Sequence, residues 1–282
     1  MTRKSNSIVG TAKMAIKVAK KAFPEPYSHA KSPHKYTQAQ LAACMVLKTI
    51  LRCDYRRIVE MLEMMPAIRK ILGIKSVCHH TTLYYFARNR LTDEKLQAML
   101  AAVIESVGHK KLTLAVDSTG LSVTSASAHF VARSGRKRKG YVQMTLAATV
   151  GSQLVASVQA RNGPHGDARY LVPAVKQAQA NGVLVREVLA DAGYDSNWNH
   201  RWCRGQGFRA WIPPIVRSAS GAIGGWDRAR CAIRPKRYGK RWHVESVFSA
   251  IKRRTGASIA ARRPAAQKLE AILKAVAYSI HR

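Results

Sequence analysis

Acidic side chains are scarce in this 282-residue chain: 15 Asp and Glu stand against 48 Lys and Arg. Their placement is therefore informative. Asp117 follows the apolar run "LTLAV" in "LAVDSTG", and Asp191 follows "VREVLA" in "VLADAGYD". No acid lies between Asp117 and Asp167, and Glu245 is alone between Cys231 and Lys268. Carboxylates are hard oxygen donors, and three brought together suit Mg²⁺, which leaves its other positions to water and phosphate. Two such ions about 3.5–4 Å apart activate a water or a 3′-hydroxyl and stabilise the leaving oxygen of an in-line displacement. Each acid also has a plainer reading. Asp117 and Asp191 suit the turn that follows a strand, and Glu245 suits an i,i+4 ion pair with Arg241.

Glu245 sits in "RPKRYGKRWHVESVFSAIKRR", a basic stretch with helical character. Tyr238, Arg241, Glu245 and Lys252 are spaced i, i+3, i+7 and i+14. On one continuous helix these positions fall within about 60° of one another. Arg241 and Lys252 would then face phosphates on either side of the reacting one.

The whole-chain charge supports a polyanionic partner. The formal net charge is +33, an excess that repels itself in the compact state and favours nucleic acid through counterion release. A ribosome-type structural protein and a membrane-surface protein are the alternatives at this level. No apolar run approaches the ~18 residues that span a bilayer. Cys44, Cys53, Cys78, Cys203 and Cys231 are odd in number and form no CxxC pair, so neither a disulfide framework nor a structural zinc site is expected. Cys78-His79-His80 is not a ligand set, because adjacent side chains diverge.

The elements that must position the acids change character near residue 110. Residues 1–36, basic and almost acid-free, read as an N-terminal arm. Residues 37–109 read as helical: "YTQAQLAACMVLKTIL", then "DYRRIVEMLEMM" capped by Asp54 and stopped at Pro66, then "HHTTLYYFARNRL" and "TDEKLQAMLAAVIESVG". They suit either a helix-turn-helix module or an ordinary small bundle. Residues 110–282 read as α/β, with three strands, a helix, a strand, a helix, a strand, a loop and closing helices. The sheet is thus mixed, with an antiparallel front half and parallel later strands. Asp167 and Asp195 begin predicted helices and read as N-caps. Trp198, Trp202 and Trp211 are expected in the core, while Trp226 and Trp242 lie in basic surroundings that suit stacking on an unpaired base. The run "RSGRKRKGY" is either a phosphate grip through Arg136, Lys137, Arg138 and Lys139 or a solvated hairpin tip.

The sequence resembles the DDE transposases of bacterial and archaeal insertion sequences. It is most similar to the group with the signature Y-x(2)-R-x(3)-E-x(6)-K, which Tyr238, Arg241, Glu245 and Lys252 match at every spacing. "DSTG" at Asp117, "ADAGYDS" at Asp191 and "GPHGD" at Gly163–Asp167 resemble further stretches of that family. The resemblance implies a ribonuclease-H-like catalytic core over residues 110–282, a mixed five-stranded sheet with flanking helices, preceded by an all-helical N-terminal region. Residues 37–109 would then bind element ends. It implies that Asp117, Asp191 and Glu245 hold two Mg²⁺ ions, with Mn²⁺ able to substitute. Cleavage at element ends and strand transfer to target DNA would follow. Tyr238, Arg241, Lys252 and Arg253, with Arg136 and Lys137, would contact DNA. The implied partners are terminal repeats and target DNA, bound by a dimer in the prokaryotic cytoplasm at the nucleoid, with no membrane and no small-molecule substrate. Only 54 residues separate Asp191 from Glu245, which leaves no room for an inserted β-domain. A domesticated or inactive DNA-binding descendant, and a metal-dependent nuclease without strand transfer, are the competing expectations.

Overall fold

The computed structural model describes residues 7–31, 33–106, 108, 111–123, 133, 140–216, 219, 221–233 and 235–282. The described part before the sheet is helical: α1 (Ile8–Ala22), α2 (Gln38–Ile50), α3 (Tyr55–Met64), α4 (Pro66–Leu72), α5 (His80–Asn89) and α6 (Asp93–Glu105). Local chemistry sets several starts. Thr37 and Gln40 form a capping box on α2, Asp54 accepts the Arg56 and Arg57 N–H groups at α3, and Thr92 caps α6. Pro66 ends nothing beyond α3. It opens α4 at the first helical position, where its missing N–H is harmless.

The expected arm is corrected at residues 8–22, which form α1. Its Ala12, Ala15, Ile16 and Ala19 recur at helical spacing and are buried, while Lys13, Lys17, Lys20 and Lys21 are exposed. The lysines dominate the composition, but the small apolar stripe decides the packing. The Thr11 hydroxyl also meets His281 Nδ1 at 2.6 Å, joining the first helix to the last.

The remaining elements are β1 (Lys111–Ser122), β2 (Tyr141–Thr149), β3 (Val155–Asn162), α7 (Leu171–Ala180), β4 (Leu184–Ala190), α8 (Asn197–Gly205), β5 (Arg209–Trp211), α9 (Trp226–Ala229), α10 (Trp242–Thr255) and α11 (Pro264–His281). The five strands form one sheet in the order β3-β2-β1-β4-β5. β1, β2 and β3 pair antiparallel, and β4 and β5 run parallel to β1. This is the mixed α/β sheet expected from the sequence. α7 packs on β2 and β3, α10 packs on β1 and β2, and α11 packs on β2, β3, α1, α2 and α6. One continuous apolar core results, running from Ala12 of α1 through the sheet to Ile280 of α11. No helix among the described residues is long and apolar enough to cross a membrane.

Candidate active site

The site begins with a step in the sheet. β4 pairs with β1 until Val116 lies beside Ala190. There β4 stops, so Asp191 and Asp117 follow side by side on neighbouring parallel strands. β1 does not stop with it, contrary to the expected strand end at Asp117. It continues to Ser122 because β2 pairs with it along the whole stretch, Asp117 opposite Leu146 and Ser122 opposite Tyr141. Asp117 is therefore a mid-strand residue, level with the end of its parallel neighbour.

Alternation along β1 sends successive side chains to opposite faces. Asp117 and Thr119 meet α10 and the 3₁₀ turn Lys236–Arg241 before it: Arg241 Nη1 lies 3.3 Å from Asp117 Oδ2, and Lys252 Nζ donates to Thr119 Oγ1 at 2.7 Å. Arg241 Nη2 also lies 2.5 Å from Glu245 Oε1. The intervening Ser118 faces the other way, where its hydroxyl meets Thr145 Oγ1 at 2.7 Å and the Tyr194 hydroxyl at 2.8 Å.

The signature residues do not lie on one continuous helix. Tyr238 sits in the 3₁₀ turn, and α10 starts at Trp242. The turn is fastened to the end of β4, because the Tyr238 hydroxyl donates to the Ala190 carbonyl at 3.1 Å, next to Asp191. Arg237 holds the same turn through the buried Glu187 of β4, at 3.2 Å. Tyr238 thus orders the approach to α10. From Arg241 onward the spacing works as expected, with Arg241, Glu245 and Lys252 along one helical face. Arg253 is exposed, while Arg136 and Lys137 lie outside the described residues.

The electrostatics single out Asp117. Burial, and then the negative charges of Asp191 and Glu245, push its pKa up to about 6, against the Ser118 N–H and the Arg241 guanidinium that pull it down. The oxygen donors suit a hard divalent cation. In the arrangement seen, Arg241 supplies the positive charge at Asp117 and Glu245 instead. Accordingly, no three His, Cys, Asp or Glu side chains among the described residues are drawn close enough to hold one ion.

The two other aspartates are not the helix caps expected of them. Asp195 precedes the Ser196 cap of α8. It is buried and accepts from Arg228 Nη2 at 2.6 Å, from Arg228 Nε at 2.9 Å and from the Ile215 N–H at 2.8 Å. Asp195 thus ties the segment after β5 to the sheet. Asp167 makes no side-chain cap to its 3₁₀ turn, and its Oδ1 accepts instead from Gln143 Nε2 of β2 at 2.8 Å. Trp198 is also corrected: it is 68% exposed and not part of the core. Trp226 is 68% exposed and Trp242 53%. The Trp242 ring stacks on His243, with centroids 4.3 Å apart.

Ser118, Thr119, Gln143 and Tyr194 were not anticipated. Only Thr119 carried a local signal, two residues beyond Asp117 and so on the same face of the strand. The others depend on which strands become neighbours.

No curated protein matches the chain. A family model described as "Transposase DDE domain" matches residues 108–280, the stretch that contains the whole sheet, both aspartates of the step and α10. DNA is the partner that this family implies. The chain belongs to the DDE-domain transposases.

Proposed function

We propose that this transposase is of the insertion-sequence group with the Y-x(2)-R-x(3)-E-x(6)-K signature, with a ribonuclease-H-like core over residues 110–282 that cleaves element ends and transfers the freed strand to target DNA. The observation that carries the reading is the level position of Asp117 and Asp191 on β1 and β4, with Glu245 linked to Asp117 through Arg241. The strand order β3-β2-β1-β4-β5 supports the ribonuclease-H-like assignment. Asp117, Asp191 and Glu245 would hold the divalent cations, Mg²⁺ or Mn²⁺. When bound, two such ions activate the attacking water or 3′-hydroxyl and stabilise the leaving oxygen.

The chain's own residues do the rest. Arg241, which bridges Asp117 and Glu245, would offer its guanidinium to a phosphate beside the reacting one. Lys252 and Arg253 extend that contact along the backbone. Tyr238 keeps the start of α10 pinned to the end of β4. The helices of residues 37–109 bind the element end, and two copies pair the ends on the prokaryotic nucleoid.

Incubation with the element's end DNA and Mg²⁺ tests this. Nicked and joined products support transposition. Nicking without joining identifies a nuclease, and binding without either identifies a descendant that has lost its chemistry.

A further inference from the structure

Asp167 has an environment that neither helix capping nor a surface role explains. It follows β3 in the "GPHGD" segment, far in sequence from the other acids. Gln143, buried on β2, fixes this segment three times: its Nε2 donates to Asp167 Oδ1 at 2.8 Å and to the His165 carbonyl at 3.2 Å, and its Oε1 accepts the His165 N–H at 3.1 Å. Arg161, also buried, supports Gln143 at 3.4 Å and bonds Thr145. Thr145 in turn meets Ser118, which meets Tyr194. A buried polar chain thus runs from Asp167 behind β1 to the turn that carries Asp191.

With Oδ1 held by Gln143, Oδ2 faces Gly193. A methyl group placed on Gly193 would lie 3.6 Å from Asp167 Oδ2 and 3.1 Å from Asp191 Oδ1. Asp191 Oδ1 lies there because it accepts the Gly193 N–H at 2.9 Å, and Asp167 Oδ2 approaches the same glycine from its other side, so the two carboxylates meet at Gly193. Burial opposes ionisation of the Tyr194 hydroxyl, its bond to Ser118 favours it, and the charges of Asp167, Asp117 and Asp191 oppose it further. Asp191 thus stands between two sets of acids. Asp117 and Glu245 lie toward α10, and Asp167 lies toward the opposite face of the sheet, where Ser118 and Gln143 point.

We propose that Asp167 is a fourth carboxylate of the catalytic centre, which faces Asp191 across Gly193 and helps to hold the divalent cation bound there, directly or through a bound water. This rests on the function proposed above. Gln143 is its positioning residue.

Asp167→Asn tests the proposal, because the amide oxygen still accepts from Gln143 while the charge is lost. Mn²⁺ binding, followed by electron paramagnetic resonance and calorimetry on the full chain without DNA, is expected to weaken by about 10- to 100-fold, the usual range for a supporting carboxylate at a metal site. The metal-free variant is expected to melt at or above the wild-type temperature, since a like charge has been removed from a crowded cluster. A merely structural Asp167 would instead lower the melting temperature and leave Mn²⁺ affinity unchanged, and that result overturns the proposal. Gln143→Met, which frees Asp167 but keeps its charge, provides a second test should Asp167→Asn fail to fold. Weaker Mn²⁺ binding supports the proposal, and unchanged affinity overturns it. Asp117→Asn serves as the control. If it loses Mn²⁺ while Asp167→Asn does not, only the fourth carboxylate falls. If the wild-type chain binds no Mn²⁺, the function proposed above falls as well.

Discussion

Asp195, in the turn that follows β4, and Asp117, on β1, are both enclosed aspartates, with side chains 0% and 17% exposed. Burial raises the pKa of Asp195, but the Arg228 bonds, the Ile215 N–H and His200 outweigh it, so the net shift is downward. Asp117 has one backbone N–H and one shared guanidinium against two neighbouring acids, and its pKa rises to about 6. The first site is complete within the protein and fastens a segment. The second carries more negative charge than its own surroundings balance. Such imbalance costs stability in the isolated protein, and it marks where a cation from outside would gain most.

The contrast can be broken from its structural end first. Arg228→Met leaves Asp195 charged, buried and without its guanidinium. Losing one partner of such a pair costs about 3–5 kcal/mol, to be read from chemical unfolding. A loss below about 1 kcal/mol would show that Asp195 is not the anchor it resembles.

Asp117→Asn is expected to act in the opposite sense. Cleavage of end DNA should fall by more than the roughly 100-fold that losing a supporting group at a metal site costs, which is more than about 2.7 kcal/mol in barrier. DNA affinity should stay close to wild type, and the metal-free variant should be more stable than wild type at neutral pH, because the ionised Asp117 costs stability there. Retained cleavage would remove Asp117 from the centre.

The pH dependence of the metal-free protein sharpens the same point. The pKa of Asp117 is 3.8 unfolded and about 6 folded. The folded state therefore binds this proton more tightly. The contribution is fully present below about pH 4 and disappears as pH rises to about 6, a loss on the order of 2–3 kcal/mol. Unfolding measured across that window should show the decline in wild type and lack it in Asp117→Asn. Asp195, shifted downward, contributes stability that is present above its unfolded value and is lost on acidification.

The smallest expected effect concerns Lys252. Its ammonium now donates to Thr119. If it also meets a phosphate, Lys252→Ala lowers the slope of log affinity against log salt by about 0.9. An unchanged slope would confine Lys252 to its bond with Thr119.

Particular residues show how far the sequence could be read. Asp54 and Thr92 were legible as caps because a cap is a contact within three residues. α1 is hidden in the sequence because its lysines outweigh the quiet Ala12, Ala15, Ala19 stripe. The 3₁₀ setting of Tyr238 is not legible, since a 3₁₀ segment and the first turn of an α-helix share nearly the same local pattern. Asp167 and Asp195 looked alike, each at the start of a helix. Their different roles came from Gln143 of β2 in one case and Arg228 of α9 in the other, partners 24 and 33 residues away.

The sequence by itself determined most of the elements, the scarcity that singled out Asp117, Asp191 and Glu245, and the signature spacing around α10. These are local or compositional properties, carried by periodicity and by residue type. Only the tertiary structure decided that β4 ends level with Asp117, that Arg241 lies between two of the acids, and that Asp167 reaches Gly193 from the far side of the sheet. Strand register and helix docking are fixed by the fit of distant side chains in a shared core, and a linear pattern does not record which of those distant surfaces will meet.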